Sequence, residues 1–478
     1  MNLTKKPAVC LLTVVAALLI IAPPAIAQGI YNLTCEDITS HKSFYDDPRP
    51  IFKDLPLKDV VPPEIYNTLI FDQEQMSALW AEVIGFKAPD EVGKIAPKIT
   101  PGTYTLADKE KLAFKELMAP EDYKRWNEPG PPHMGNFTAI KIVPTRQYYW
   151  PLPIAEATKK HQGKTKLDEK GYLKYDTYIG GYPFPQPSGP FKAQQIMYNW
   201  EKRYLNGESF YMILQVMGHQ KELKRDFDSL IEMYYLNKLE ARVMMEPLGY
   251  FDKRAKEQKE LRQTFNRCYS PRDLYGNVFS SLSYSDYTKS DQPLIYLNMM
   301  RRVRKMSGTD TQDPMGGQDC IYDDGDGFNQ KQSPERYPYK YEVIEEREFL
   351  MAAYTPDGSG YLTSDKLELK EYEFERRPCY VLKLTQLDNH YIYSYRLLWF
   401  DKETFLLLRV QNYDQRERLY RDMFLRHYFD PEMGMPMISD VIARDHLDYH
   451  SMMQQFYIVP APNITRDDLS MRAMIKAK

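Results

Sequence analysis

The stretch HYIYSYRLLWFDKETFLLLRVQNYDQ, residues 390–415, decides the predicted fold. Two runs of alternating side chains flank the turn-forming residues 401–404, which is typical of a β-hairpin. With Asp401 opposite Thr404, the predicted pairs are Trp399 with Leu406, Leu397 with Leu408 and Tyr395 with Val410. Directly opposed residues share one face of a sheet. The resulting candidate wall of a ligand cavity comprises Tyr391, Tyr393, Tyr395, Leu397, Trp399, Leu406, Leu408 and Val410.

A sheet with one long aromatic and aliphatic face needs a cover, which is either helices that form an ordinary core or a lipid in a groove. From residue 209 onward the pattern is mostly that of strands, with residues 220–241 ambiguous between helix and strand. The N-terminal half contains helix predictions instead. They fall at residues 72–84, at 106–127 as a helix pair broken at Pro120, at the PIAEAT stretch beginning at Pro153, and at 191–204.

The N-terminus has the pattern of a secretory signal peptide. Lys5 and Lys6 precede an apolar run over residues 8–22, and a small-x-small cleavage site follows at residues 25–27. Cys10 lies too early to be the lipid-modified cysteine of a lipoprotein. We therefore expect an exported protein that is cleaved after Ala27 and is not a lipoprotein, and we expect no membrane-spanning helix in the rest of the chain.

The composition limits the classes of binding partner and the disulfide bonds that can be expected. The 478 residues carry a net charge of −3 with mixed signs, so nucleic acid is not a predicted partner. The 38 tyrosines and 34 prolines, together with short alternating runs, favour extensive β-sheet. Outside the signal peptide, an exported chain with four cysteines allows three disulfide pairings that the sequence does not distinguish. These cysteines are Cys35, Cys268, Cys320 and Cys379.

Two acidic, glycine-containing stretches resemble calcium loops but lack the full set of ligands. With Gly360 at the sixth position of the TPDGSGYLTSDK stretch, Thr355 and Lys366 occupy the first and twelfth positions, where an EF-hand needs carboxylates. We therefore predict a β-hairpin tip there. The acidic run at residues 323–327 is predicted to be a solvated loop.

Other motifs give no catalytic or metal site. His446 and His450 have the i, i+4 spacing of a helical zinc pair, but their surroundings alternate like a strand, so exposed strand histidines are predicted. Nucleophile-elbow and phosphate-loop motifs are absent from the sequence. We therefore predict no catalytic residue, no metal and no cofactor.

A basic cluster occupies residues 301–305. As a strand it would place Arg302 and Arg304 on one face and Arg301 and Lys305 on the other. A solvated strand end is the simpler interpretation. The alternative is that Arg302 and Arg304 contact an anionic head group or an acidic partner.

A set of motifs in fixed order resembles a known family. These are PTRQYYWPLPIAEATKKH, TYIGGYPFPQPSG, YNWEKRYLNGES, LIYLNMMRRVRKMSG and DDGDGFN, followed by the WFDKET hairpin and IVPAPNITRDDLS. The chain resembles an uncharacterised family of exported bacterial proteins described as outer-membrane lipoprotein-sorting proteins, which are similar to the periplasmic lipoprotein carrier LolA and its receptor LolB. The resemblance implies a mainly β fold with a helical lid (α+β), built as a curved antiparallel half-barrel.

The expected organisation follows from that resemblance. Residues 1–27 are the signal peptide, 28–105 a proline-rich and partly helical extension, and 106–478 a LolA/LolB-like half-barrel domain with helical insertions. The chain is far longer than the carrier. Family members often accompany inner-membrane export pumps of the resistance-nodulation-division type and an outer-membrane protein, which are therefore the implied partners.

The expected function is that of a periplasmic carrier or chaperone, not an enzyme, which binds an acyl chain or another hydrophobic molecule in its concave groove. Two alternatives stay open at this point. One is a periplasmic sensor or scaffold that binds protein, which a filled concave face would favour. The other is a hydrolase with an unrecognised site, which serine, histidine and acidic side chains clustered in a cleft would favour.

Overall fold

The computed structural model describes most of the chain after residue 54. The described residues are 55–108, 112–127, 136–137, 139–219, 230–306, 310–315, 318–355, 361–362, 368–370 and 372–476. The predicted signal peptide, Cys35, and most of the TPDGSGYLTSDK stretch with its predicted hairpin tip lie outside them. No helix in the described ranges is long and apolar enough to cross a bilayer.

Nineteen strands are present in the described residues. They are β1 Gly102–Thr105, β2 Asn136–Phe137, β3 Ala139–Ile142, β4 Ser209–His219, β5 Leu230–Lys238, β6 Glu260–Ser270, β7 Val278–Tyr284, β8 Gln292–Leu297, β9 Arg302–Lys305, β10 Tyr339–Met351, β11 Tyr354–Thr355, β12 Tyr361–Leu362, β13 Glu368–Lys370, β14 Glu373–Gln386, β15 Tyr395–Asp401, β16 Leu407–Tyr413, β17 Leu419–Asp430, β18 Met435–Asp445 and β19 His450–Pro460.

The helices of the described residues are short. They are α1 Leu57–Val60, α2 Pro63–Tyr66, α3 Gln73–Ile84, α4 Ala88–Glu91, α5 Pro120–Asn127, α6 Leu152–His161, α7 Lys192–Glu201, α8 Lys253–Gln258 and α9 Met471–Lys476. The fold is therefore mainly β with added helices, as the resemblance implied.

Sixteen strands form one open, curved sheet. Its path is β1-β3-β14-β15-β16-β17-β18-β19-β4-β5-β6-β7-β8-β9, with β10 also paired to β14 and β11 to β17. Neighbours from β14 to β9 are antiparallel. A separate three-stranded sheet has the order β12-β13-β2. The large sheet does not close on itself, so β1 and β9 form its two ends.

Three of the four helix predictions are confirmed, and their local chemistry explains why. Helix α3 begins after Asp72, whose carboxylate accepts the Gln75 backbone N–H at 2.7 Å, and it ends at Gly85, whose φ of 91° terminates the helix. The predictions at PIAEAT and at residues 191–204 correspond to α6 and α7. The described part of the ambiguous segment 220–241 forms strand β5.

The predicted helix pair at residues 106–127 is correct only in its second half. Helix α5 starts at Pro120, where the break was expected, but the first half contains only 3-10 turns among its described residues. Phe114, Leu117 and Met118 are buried in a second core that covers the face of the sheet bearing Phe424 and Ile442. Their i, i+3, i+4 spacing is that of one helical face, which explains the helix prediction, but a 3-10 turn at Phe114–Glu116 already buries these side chains.

The prediction that His446 and His450 are exposed strand residues is correct only in placing His450 in a strand. His446 lies in the turn after β18, and His450 is the first residue of β19. Both are only partly exposed, and each lies against a carboxylate. His450 Nδ1 is 2.5 Å from Asp319, and His446 Nε2 is 3.3 Å from Asp422. Within the described ranges, no group of three or more His, Cys, Asp or Glu side chains is placed to hold a metal ion.

Candidate functional site

The hairpin that was predicted to form a cavity wall exists, but its predicted register is wrong. Strand β15 pairs with β16 so that Leu398 lies opposite Val410 and Trp399 lies opposite Arg409. The turn is longer than expected because the Asp401 carboxylate accepts the backbone N–H groups of Glu403 and Thr404. Phe405 adopts a φ of 60°, and the register shifts once more after Trp399.

The new register separates the eight predicted wall residues. Side chains alternate between faces along a strand, so Val410 and Leu398 share the concave face while Tyr395, Leu397 and Trp399 point to the opposite face. Leu408 lies at the register shift, and Leu406 precedes the strand. None of the eight residues borders the large cavity described below. The prediction that they form a single wall is therefore wrong.

Tyr391 and Tyr393 hold the segment that does border the cavity. The Tyr391 hydroxyl donates to Asp323 at 2.8 Å, and the Tyr393 hydroxyl donates to Asp324 at 2.8 Å. Arg396 also donates to Asp324, at 2.6 Å. Both carboxylates are buried, so the expectation of a solvated acidic loop is wrong. The loop is acidic because buried hydroxyl and guanidinium groups of β15 and its preceding turn require acceptors.

The cavity lies elsewhere, on the concave face of strands β4–β8, and has a volume of about 660 Å³. The pairing register brings the inward positions of these strands side by side, for example Met212 opposite Tyr234 and Tyr234 opposite Asn266. The volume is that of a small-molecule binding site. The cavity therefore lies at β4–β8, whereas the hairpin prediction had placed it at β15 and β16.

The wall of the cavity is apolar with interspersed small polar groups. Apolar contributions come from Phe210, Met212, Leu214, Leu236, Leu274, Val278, Phe279, Ile295, Met306, Met315, Met423, Val441 and Phe456. Small polar contributions come from Thr264, Asn266, Asn277, Ser281 and Ser283. This mixture on the inward face of consecutive strands is the sequence signal that the hairpin analysis missed, because a uniformly apolar face is more typical of a closed core.

The segment between β9 and β10 covers the cavity. It contributes Met315, Cys320, Tyr322 and residues 323–327 to the cavity wall. Its described part contains 3-10 turns at Asp310–Gln312 and Tyr322–Gly327. The lid over the cavity is thus an irregular segment in its described part, whereas helices were expected. Gly327 in this segment has a φ of 88°, and a side chain there would meet Leu407, Leu425 and Val410. The segment is therefore seated directly on strands β16 and β17 at this point.

One end of the cavity is rich in cationic groups. Arg262 donates to Asn329, Arg336 donates to Ser290, and Lys331 pairs with Asp291 at 2.8 Å. All six residues border the cavity. An anionic or strongly polar part of a ligand would find hydrogen-bond donors at this end.

The other end carries an isolated carboxyl group. Glu232 accepts a hydrogen bond from Asn266 Nδ2 at 2.6 Å and lies opposite Cys268 in the sheet. Burial raises the pKa of Glu232 to about 7, because the charged form loses water without gaining a cation. Burial also raises the pKa of Cys268 to about 12. Near neutral pH this end therefore presents a carboxyl group that changes readily between donor and acceptor.

The predicted arrangement of the basic cluster is confirmed for residues 302–305, whereas Arg301 lies in the turn before β9 with a φ of 50°. In β9, Arg304 lies opposite Ile295 and Arg302 opposite Leu297. Ile295 borders the cavity, so the two arginines extend from the concave side of the sheet at its edge. Their predicted contact with an anionic group stays a prediction.

The cysteines of the described chain are not cross-linked. Cys268, Cys320 and Cys379 are free and buried, and the first two border the cavity. The pKa of the Cys320 thiol and that of the Cys379 thiol are both raised by burial. Each of the three pairing schemes that the sequence left open requires a disulfide between two of these three cysteines, and no such disulfide is present.

Comparison with known proteins identifies the family. Residues 133–470, more than two thirds of the chain, match the model of the protein family of unknown function DUF1329. The chain therefore belongs to this family, and the resemblance drawn from the ordered motifs is confirmed. No curated protein matches the sequence.

Solved structures give further similarities. A domain named as an outer membrane lipoprotein-sorting protein, from Vibrio parahaemolyticus, matches with 14% identity and a TM-score of 0.42, covering 59% of this chain and 97% of that one. A DUF1329 family protein from Desulfovibrio piger matches with 17% identity and a TM-score of 0.40, covering 56% and 91%. A LolA superfamily protein from Nitrosomonas europaea matches with 12% identity and a TM-score of 0.36, covering 59% and 98%. With TM-scores below 0.5, these similarities carry no information about function.

Proposed function

We propose that this protein is a carrier that holds a lipid or another hydrophobic molecule in the cavity of strands β4–β8. The observation that supports the proposal is the cavity itself, about 660 Å³ with a predominantly apolar wall. A buried acyl chain gains ~25 cal/mol for each Å² of apolar surface removed from water. Carrying a hydrophobic ligand requires no catalytic group, so we propose a non-enzymatic role.

The polarity of the cavity suggests how a ligand lies in it. A tail fits along Met212, Leu214 and Val278, and a polar head fits at the end that contains Arg262 and Arg336. Glu232 and Asn266 supply a second polar contact point at the far end. An amphiphile with a head group and a mid-chain or terminal hydroxyl would match both ends.

The cellular setting belongs to the same proposal. We place the protein in the periplasm, where it would carry its ligand between the inner and outer membranes. The pump and the outer-membrane protein implied by the family resemblance are the proposed donor and acceptor. Cross-linking in intact cells, followed by mass spectrometry of the captured proteins, tests this part separately from ligand binding.

The decisive experiment compares two tryptophan variants. Met212→Trp fills the cavity, whereas Ile179→Trp places the same side chain at an exposed position. We expect Met212→Trp to abolish binding of a fluorescent fatty-acid or fatty-alcohol probe while the protein stays folded, and Ile179→Trp to bind as the parent does. Mass spectrometry of organic extracts of the purified parent should identify a bound amphiphile. Unchanged probe binding by a folded Met212→Trp protein would contradict the proposal.

A further inference from the structure

The turn between β8 and β9 exposes two adjacent methionines at the edge of the large sheet. Met299 is 90% exposed and Met300 is 46% exposed. Single exposed apolar side chains are common on soluble proteins, but an adjacent pair at the tip of a hairpin is a localised apolar surface. The neighbouring sequence gives this surface a definite chemical character.

Four cations follow the methionines directly. Arg301, Arg302, Arg304 and Lys305 are all exposed, and none forms an ion pair with a residue in the described part of the chain. The Arg304 guanidinium contacts the Met300 sulfur at 3.8 Å, so charge and apolar surface are contiguous. Unpaired surface cations beside exposed apolar side chains are the composition that binds an anionic lipid surface.

A second turn supports the first and enlarges the surface. Asn298 donates from its backbone N–H to Asn277 at 3.0 Å and from its side chain to the Tyr275 carbonyl at 3.1 Å. Tyr275 is 47% exposed. The β6–β7 and β8–β9 turns are thereby joined into one platform that presents a tyrosine, two methionines and the cations. Arg272 and Asp273, both exposed in the β6–β7 turn, contribute opposite charges.

We propose that this platform, residues 298–305 together with Tyr275, docks the protein on an anionic phospholipid bilayer. The methionines and the tyrosine would enter the interface, and the cations would contact phosphate-bearing head groups. An anionic bilayer fits better than an acidic protein because the apolar element projects from the tip, whereas protein-binding surfaces usually present a buried apolar centre with a polar rim.

The location connects docking with the cavity and rests on the proposed carrier function. Leu274 and Asn277 of the β6–β7 turn border the cavity, as does Ile295 of β8, which leads to the platform. A protein docked through this platform would hold one end of its cavity near the bilayer. Ligand exchange with the membrane would then need a shorter path through water.

The test measures vesicle binding at low salt by flotation. Vesicles of phosphatidylcholine alone are compared with vesicles containing roughly one third phosphatidylglycerol. We expect binding only to the anionic vesicles, a loss of about 30-fold for Arg302→Gln with Arg304→Gln, and a loss on the order of tenfold for Met299→Ser with Met300→Ser. Binding should also fall as salt concentration rises.

Matched controls change the same chemistry elsewhere on the surface. Lys160→Gln with Lys164→Gln removes two exposed cations, and Ile179→Ser with Leu248→Ser removes two exposed apolar side chains of 54% and 53% exposure. We expect both control proteins to bind vesicles like the parent. Equal losses in the controls and the platform variants would overturn the proposal, because they would reveal a general surface effect.

Other outcomes separate this proposal from the carrier function. Vesicle binding that is absent in the parent, or that is equal for neutral and anionic vesicles, would overturn docking even if the probe still binds the cavity. Capture of an envelope protein through the platform, without vesicle binding, would overturn it in favour of a protein partner. Conversely, Met299→Ser with Met300→Ser should bind the probe normally in solution, so a failed probe assay with intact vesicle binding would contradict the carrier proposal alone.

Discussion

Two regions of one concave face differ in what fills the space beneath them. At β15 and β16 the inward side chains Leu398 and Val410 are completely buried, and Gly327 and Trp200 of the covering layer contact this region directly. At β4–β8 the inward face leaves a cavity of about 660 Å³. The most hydrophobic strands therefore form the structural core, whereas the strands with mixed inward faces leave room for a ligand.

The filled region is also reinforced by buried charge on the opposite face of the sheet. Arg409 contacts Asp122 and Asp422, and Arg125 donates to Asp422 at 2.6 Å. Asp422 has its pKa lowered well below its usual range by these cations, against the opposing effect of burial. Each buried charge therefore depends on its partners, and the cavity strands lack a comparable network among their cavity-lining residues.

The largest expected effect is a loss of that network. Arg409→Met should reduce the free energy of unfolding by ~3–5 kcal/mol, because it leaves Asp122 and Asp422 without their shared cation. The measurement is urea-induced unfolding followed by fluorescence. Lys159→Met, which breaks an exposed pair with Glu82, is the control and should cost less than ~1 kcal/mol. Similar losses in both variants would remove the distinction between the two kinds of ion pair.

A pair of leucine truncations compares the two regions directly. Leu398→Ala in the filled region should cost ~2–5 kcal/mol of unfolding free energy, because it opens a new cavity among packed neighbours. Leu214→Ala borders space that already exists, so its cost in the ligand-free protein should be at least ~1 kcal/mol smaller. Equal costs would mean that the β4–β8 region is packed as tightly as the hairpin.

The stability of the protein should depend on pH through Glu232, the isolated carboxyl group of the cavity. The pKa of Glu232 is raised by burial from 4.5 to about 7, so its contribution to stability is present in full below about pH 4 and is lost as the pH rises through about 7. Glu232→Gln should remove this loss. Relative to the variant, the parent should therefore lose on the order of 3 kcal/mol of unfolding free energy between pH 4 and pH 8.

Melting temperatures of both proteins across this pH range provide the measurement. Asp323 and Glu403 also have raised pKa values, of about 6 and about 7, so only the difference between parent and variant isolates Glu232. Glu64→Gln, at an exposed position, should reproduce the pH profile of the parent. A Glu232→Gln profile parallel to that of the parent would show that Glu232 does not titrate in this range.

The smallest expected effect lies where the two regions meet. Tyr391→Phe removes the hydroxyl that donates to Asp323 and should cost about 1 kcal/mol of unfolding free energy. Hydrogen exchange should speed up in residues 320–330, which cover the cavity, more than in the strands. Tyr413→Phe removes a hydroxyl that bonds only within its own strand, to Gln411, and serves as the control. Uniform exchange changes in both variants would contradict a specific anchoring role.

Much of the fold could be predicted because its signals are local. Alternation identified the strands, Asp72 and Gly85 bounded helix α3, and the ordered motifs identified the family. The register of the hairpin could not be predicted because it depends on the conformation of the five residues after Asp401. Those residues bind distant groups, for example Trp80, whose indole N–H donates to the Glu403 carbonyl at 2.7 Å.

The site was harder to predict because its position depends on long-range packing. Tyr391 and Tyr393 read as apolar wall residues, yet their hydroxyl groups bind carboxylates some 70 positions earlier in the chain, at separations of 68 and 69 residues. The acidic run read as solvated because its partners were not adjacent in sequence. The shared strand face of Arg302 and Arg304 was predicted correctly, since it needed nothing beyond strand alternation, while their role in binding stays a prediction.

The open end of the sheet at β9 also affects how copies of the protein behave toward each other. An edge strand presents unpaired backbone N–H and C=O groups, which makes it a template for a strand from another molecule. Two copies that paired through β9 would bring two sets of arginine and lysine side chains together, and like charges directly opposed are unfavourable. The basic strand thus discourages aggregation through this edge. Concentrated salt, which screens charges to within ~3 Å at 1 M, would weaken that protection.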